Sequence, residues 1–195
     1  MKRIYTIFLI FVYTSVVAQD SLKIYNQSLN HITANGMTVL GSWAITNIGV
    51  GTVGWATANG GANKYFYQMN TLWGVTNLSL AILGKTGAAK NLQKTYTAAE
   101  VIREQKKIEK IFLINAGLDV AYLGTGFYLN HRGSHENSDK LRGYGSAIIL
   151  QGAFLLLFDT AMYGTQRQNG HKLRSFLEKN PLTFNDKQLG MIINI

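Results

Sequence analysis

Four stretches of this chain, residues 37–58, 65–83, 111–129 and 144–163, each run for about 19 to 22 residues without a Lys or Arg. A helix of roughly 20 apolar residues is what it takes to cross the hydrocarbon core of a bilayer. The pattern therefore predicts an all-α fold, a four-helix transmembrane bundle. A transmembrane β-barrel fits poorly, because strict alternation over ten-residue segments is missing. A soluble helical bundle is the remaining alternative, since Gly and Thr leave the first two runs only marginally hydrophobic. Gly is tolerated in membrane helices but costs about 1 kcal/mol in soluble ones, which favours the membrane.

Ahead of these runs, Lys2 and Arg3 precede an uncharged stretch over residues 4–17 and then Ala18, Gln19 and Asp20. That is the layout of a secretory signal peptide with cleavage after Ala18. An uncleaved anchor is the alternative, although the apolar core is short for a span. Removing the leader lowers the formal net charge from +9 to about +7. The surplus of Lys and Arg gathers over residues 85–110 and 167–187, beside apolar runs, where basic side chains meet anionic head groups. Nucleic acid is not expected as a partner, because no basic groove with interleaved aromatics is present. There are no cysteines, so disulfides and thiolate chemistry are excluded.

The connection over residues 59–64 is short, which predicts an antiparallel hairpin for the first two helices. Residues 131–143 are compatible with a second hairpin. Aromatics gather where interfaces should lie, including Trp55, Tyr65, Phe66 and Tyr67 near the first turn and Phe127, Tyr128, Tyr144 and Tyr163 at other run ends. Residues 97–110 combine charged side chains with apolar Ala98, Val101, Ile102 and Ile108 at helical spacing, so the third helix should begin near Thr97 and stand out of the bilayer. In the tail after Pro181, Leu182, Phe184 and residues 189–195 have strand-like composition, with Asn185 and Asp186 as turn formers. The orientation signals conflict. A cleaved leader puts the basic connection over residues 84–110 outside, whereas the positive-inside rule puts it inside.

Polar groups recur inside the apolar runs. At 3.6 residues per turn, Trp43, Asn47, Gly51 and Gly54 share one face, and Asn70, Gly74, Asn77 and Ala81 share another. On the third run Asn115, Asp119, Tyr122 and Gly126 align. On the fourth, Tyr144, Gln151 and Met162 do, with Asp159 on the flank. Small residues allow close helix approach and amides bond across the gap, so these faces should meet as a polar seam. Two short echoes, Trp43-Ala-Ile-Thr46-Asn47 with Trp73-Gly-Val-Thr76-Asn77 and Asp119-Val-Ala121 with Asp159-Thr-Ala161, are what a duplication of helices would leave, and chance accounts for patterns this short nearly as well.

Asp119 and Asp159 sharpen the question of function. An ionisable group in a span is costly and is usually turned inward onto a partner. With no Lys or Arg in any run, desolvation disfavours the charged form, and hydrogen bonds from Asn, Tyr or Trp oppose that effect. Either the carboxyls lock helices through Asn47, Asn77 or Asn115, or they form a proton or small-cation site.

Other apparent motifs carry less. Gly49-Val-Gly51-Thr-Val-Gly54 spells GxGxxG but lacks the strand, the soluble helix and the later acidic residue that a dinucleotide site needs, so helix packing explains it better. His131 and His135, with Glu136 and Asp139, offer a weak metal set, against which Gly133, Asn137 and Ser138 argue for a solvated turn. No nucleophile elbow or triad spacing is present. No cofactor is expected, and no catalytic residue can be named.

Together the leader, the Trp-x-x-x-Asn runs, Asn115-Ala-Gly-Leu-Asp119, Leu141-Arg-Gly-Tyr144, Gln151-Gly-Ala-Phe-Leu and Asp159 resemble an uncharacterised family of small bacterial four-helix integral membrane proteins. The resemblance implies the architecture and a place in the bacterial cell membrane, and brings no activity or catalytic residue. The expected organisation is a signal peptide over 1–18, a polar segment over 19–36, a four-helix domain of two antiparallel hairpins over 37–164 and a polar tail over 165–195. The expected function is a structural or binding component of the envelope, with the lipid bilayer and either a second copy or another envelope protein as partners. A small proton- or cation-coupled carrier or channel using Asp119 and Asp159 is the alternative, and a metal-dependent membrane enzyme comes last.

Overall fold

The computed structural model describes the backbone of residues 2–94, 96–179, 182–185 and 188–191, and the side chains of residues 22–94 and 96–179. The side chains of the leader expected over residues 1–18 lie outside that range, as do Pro181, Asp186 and residues 192–195. Four helices make up almost all of it: α1 (Lys2–Thr57), α2 (Gly61–Leu92), α3 (Ala98–His135) and α4 (Asp139–Lys179). The fold is all-α, with α1 against α2 and α3 against α4 as two hairpins. The hairpins join mainly through α2 and α4, while α2 and α3 barely touch. A short antiparallel ribbon follows, β1 (Leu182–Asn185) and β2 (Gln188–Met191), with Leu182 opposite Met191.

The turns explain the hairpins. Gly60 and Gly61 adopt φ of 106° and 69°, a backbone region open to glycine and strained for other residues, and this reverses the chain in three residues. Between α3 and α4 only residues 136–138 are non-helical, and Asn137 takes φ of 51°, which asparagine tolerates. The expected connection over 131–143 is thus shorter than its composition suggests. His131 and His135 stand in the last turns of α3, one turn apart, with ring centroids 4.9 Å apart. Among the described residues no group of three or more potential metal ligands forms.

Close backbone approach sets each hairpin. A Cβ on Gly74 would lie 2.9 Å from the Ala44 carbonyl oxygen, and one on Gly126 would lie 2.8 Å from the Ile149 nitrogen and 3.0 Å from the Gly145 oxygen. Of the GxGxxG glycines, Gly51 and Gly54 pack against Thr71 and Tyr67 on α2, while Gly49 faces open space.

All four helices outrun the apolar stretches. Beyond those stretches, a small core of Leu22, Ala98, Val101 and Leu173, flanked by Tyr25, Ile102 and Phe176, binds α1, α3 and α4 together. The polar run after Tyr163 is therefore helical to Lys179. Thr97 caps α3, accepting from the Glu100 backbone N–H at 3.3 Å, while the Thr97 N–H donates to Glu100 Oε2 at 2.8 Å. The third helix begins near Thr97, where the apolar spacing over residues 97–110 places it, and the reciprocal Thr97–Glu100 cap fixes that start.

The distribution of side chains is inverted in part: Met37, Leu40, Phe112, Leu155, Phe158 and Met162 form an apolar core, but polar groups are buried beside it and many large apolar groups face outward. Val50, Val53, Leu72, Leu83, Leu113, Val120, Phe127 and Leu157 are exposed, whereas Asn47, Asn70, Asn77, Gln105, Asp119, Gln151, Asp159, Gln166 and Asn169 are buried. Among the described residues α3 and α4 are long and apolar enough to cross a membrane; α1 and α2, diluted by Gly and Thr, are not. Little of the apolar stretch of α3 is buried within the bundle.

Candidate functional site

The buried polar residues form three layers along α4, at Gln151, Asp159 and Gln166. With a rise of 1.5 Å per residue these lie about 12 Å and about 10 Å apart.

Gln151 forms the first layer. Its Oε1 accepts from the Trp43 indole N–H at 3.0 Å and from Asn77 Nδ2 at 3.4 Å. Its Nε2 donates to Asn47 Oδ1 at 2.8 Å and Asn70 Oδ1 at 2.6 Å. The two asparagines are oriented by their own helices, because Asn47 Nδ2 donates to the Trp43 carbonyl and Asn70 Nδ2 to the Phe66 carbonyl. Both N–H groups and both lone pairs of the glutamine amide are used, the full capacity of that group. Trp43 also stacks on Phe154 at 4.1 Å. The Trp-x-x-x-Asn echo acquires a meaning here: Asn47 and Asn77 meet one glutamine from two helices.

The third layer is built from Gln105, Gln166 and Asn169. Gln105 Nε2 donates to the Gln166 carbonyl at 2.7 Å and to Glu109 Oε1 at 3.0 Å. Asn169 Nδ2 donates to Gln105 Oε1 at 2.8 Å, and Gln166 Nε2 donates to Thr33 Oγ1 at 3.0 Å. None of these residues was singled out by sequence reasoning, because they lie outside the apolar runs. Their signal is the repeat of Asn26, Asn30 and Thr33 along one helix face, from which Thr33 meets Gln166 and Asn26 donates to the Asn91 carbonyl of α2.

Between these layers Asp119 and Asp159 come within interaction distance of each other, and Asn115 stands beside them on the same cavity wall. Of the three asparagines expected to hold the carboxyls, only Asn115 stands beside them. Asn47 and Asn77 bond the glutamine one layer away instead. Asp119 is only 2 % exposed, yet its Oδ2 has no hydrogen-bond partner.

A cavity of about 420 Å³ lies against this pair. Asp119, Asp159, Asn115 and Asn77 share its wall with Trp73 and Tyr122, and apolar residues such as Met37, Leu80, Leu83, Ile111, Phe112 and Phe158 supply the rest. Trp73 meets Tyr122 edge to face at 5.1 Å, a contact that bridges α2 and α3. The arrangement can hold a cation or a hydrogen-bond donor in apolar surroundings, and it presents no nucleophile paired with a base.

Residues 39–160 match a protein-family model described as "Family of unknown function (DUF6992)". The matched segment holds all six seam residues, Asn47, Asn77, Asn115, Asp119, Gln151 and Asp159. No curated protein and no solved structure matches the chain.

Proposed function

The chain belongs to this family of unknown function, and from that premise we propose that it is a multi-pass integral membrane protein of the bacterial cell envelope. In this reading residues 1–18 are a cleaved leader, the runs 111–129 and 144–163 cross the bilayer on their own hydropathy, the less apolar runs 37–58 and 65–83 cross packed against them, and the bundle serves as a binding component. The observation that carries it is the partly inverted distribution of side chains, with amides and carboxyls buried beside the apolar core and many large aliphatic and aromatic groups outside. In water such a surface would be an unusually large exposed apolar patch. In lipid it is the ordinary outer face of a bundle, and interhelical hydrogen bonds replace the hydrophobic effect between helices. The carboxyl pair facing a cavity supports binding over a purely structural role.

A second reading, a proton- or cation-coupled carrier, draws support from the buried, unpartnered oxygen of Asp119, a residue of the cavity wall. One preparation tests both. The expressed protein should stay with membranes through an alkaline carbonate wash and be monodisperse only in detergent. A leader-free product monodisperse in plain buffer would refute the membrane reading. In proteoliposomes, gradient-driven proton or cation uptake abolished by Asp119→Asn would put the carrier ahead of simple binding.

A further inference from the structure

The cleft between α2 and α3 combines features that specify what it could hold. Leu80, Leu83, Ile111 and Leu118 line the cavity and are also exposed on the outer face, so the cavity opens sideways where the two helices fail to pack. Its wall carries two carboxyls and no Lys, Arg or His. A buried acceptor left without a donor costs about 1 to 3 kcal/mol, so the bare Oδ2 of Asp119 favours a ligand that brings an N–H. The Trp73 and Tyr122 rings lie on the same wall, and aromatic faces attract cations. A hard metal ion is a poor match, because it asks for about six to eight oxygens and most of this lining is hydrocarbon. The volume of about 420 Å³ suits a small organic molecule.

We propose that the α2/α3 cleft binds a hydrophobic molecule bearing one protonated amine. The ammonium sits at the cavity wall against the Asp119–Asp159 pair, the apolar body lies along Leu80, Leu83 and Ile111, and entry is sideways from the bilayer. This inference rests on the membrane reading above. A phospholipid with an ethanolamine head group shares the ammonium, but its phosphate would stand close to two carboxyls and be repelled.

The test uses the full protein in phosphatidylcholine nanodiscs, with a twelve-carbon amine carrying a mid-chain diazirine and the matching alcohol as probes. After photolysis, mass spectrometry maps the adducts. The amine should label Leu83, Ile111 or Phe112 saturably, at least about tenfold more than the alcohol does, as a charge-assisted contact predicts. Asp119→Asn with Asp159→Asn should remove that preference. Leu80→Trp, which narrows the mouth and leaves both carboxyls intact, should reduce labelling by both probes.

Equal labelling by amine and alcohol, a preference that survives the double carboxyl substitution, or cleft labelling undiminished by Leu80→Trp would overturn the proposal. Strong competition by added phosphatidylethanolamine would overturn the single-chain class in favour of the lipid. Labelling of the outer face, for instance at Leu157 and Val53, should be non-saturable with either probe. Its absence would sink the membrane reading itself, whereas its presence without selective cleft labelling would sink only this inference.

Discussion

Both N–H groups and both lone pairs of the Gln151 amide are engaged by side chains of α1 and α2, so removing it strands four partners as well as itself. Interhelical bonds in membrane bundles average about 0.6 kcal/mol each, so four of them predict a loss of about 2 kcal/mol for Gln151→Leu. Denaturation in mixed detergent micelles would measure it. A loss no greater than that of Leu157→Ala, on the outer face, would mean the network contributes nothing beyond volume. Glutamate is not a harmless replacement, because Asn47 and Asn70 are held with their oxygens toward Gln151 by bonds to their own helices. At this scale the sequence was informative where one helix face decides the outcome: Asn47, Asn77 and Gln151 all lie in the seam. It could not say which amide meets which carboxyl. That depends on relative depth, and spacing within one helix carries no information about the axial offset of another.

Helix starts and helix lengths differ in how far they can be read. The start of α3 is written locally in Thr97 and Glu100, whose reciprocal bonds satisfy groups that a first turn leaves open. Helix extent is not local. The ends of the apolar runs suggested where helices might stop, but α3 and α4 continue because Gln105, Gln166 and Asn169 bond across the polar extension and Leu173 packs with Val101. The cap also makes a pH-linked prediction. The Thr97 backbone N–H, and then its hydroxyl, hold the Glu100 carboxyl below the ordinary glutamate range. A lowered value in the folded state means the unfolded segment takes up the proton first as pH falls. The stabilisation is therefore complete above the ordinary glutamate range and is lost as pH drops through the lowered value. Thr97→Ala should cost the first turn of α3 about 1 kcal/mol near neutral pH, or about fivefold faster amide exchange over residues 98–104. That ratio should fall in stronger acid, where the hydroxyl no longer donates to a carboxylate, but stay above one because the hydroxyl still accepts from the Glu100 N–H, and a constant ratio would show that the hydroxyl acts through that N–H alone.

For the molecule as a whole, the two hairpins place both of their turns at one end and the α2–α3 connection at the other. Ala62 lies against Gly143 at the turn end, while Lys90, Lys94, Arg103, Lys107 and Lys172 are exposed toward the opposite end. Lys64, Arg132, Lys140 and Arg142 lie by the turns, but the larger share of basic residues at the other end sharpens the conflict between the positive-inside rule, which would turn that end to the cytoplasm, and a cleaved leader, which would turn it outward. The leader is the more specific signal, because it couples a charged start, an apolar core and a small residue at the cleavage position, whereas the rule is statistical. Since the chain has no cysteine, single cysteines at Lys94 and at Asn59 report the two ends cleanly. In intact cells an impermeant maleimide should modify Lys94→Cys and spare Asn59→Cys, with both reacting once the membrane is opened. The reverse pattern would keep the four crossings and invert the orientation, making the basic residues the determinant. Equal reactivity of the two sites in intact cells would mean that no helix separates them across a bilayer, and the partly inverted side-chain distribution would then have to be covered by protein rather than by lipid.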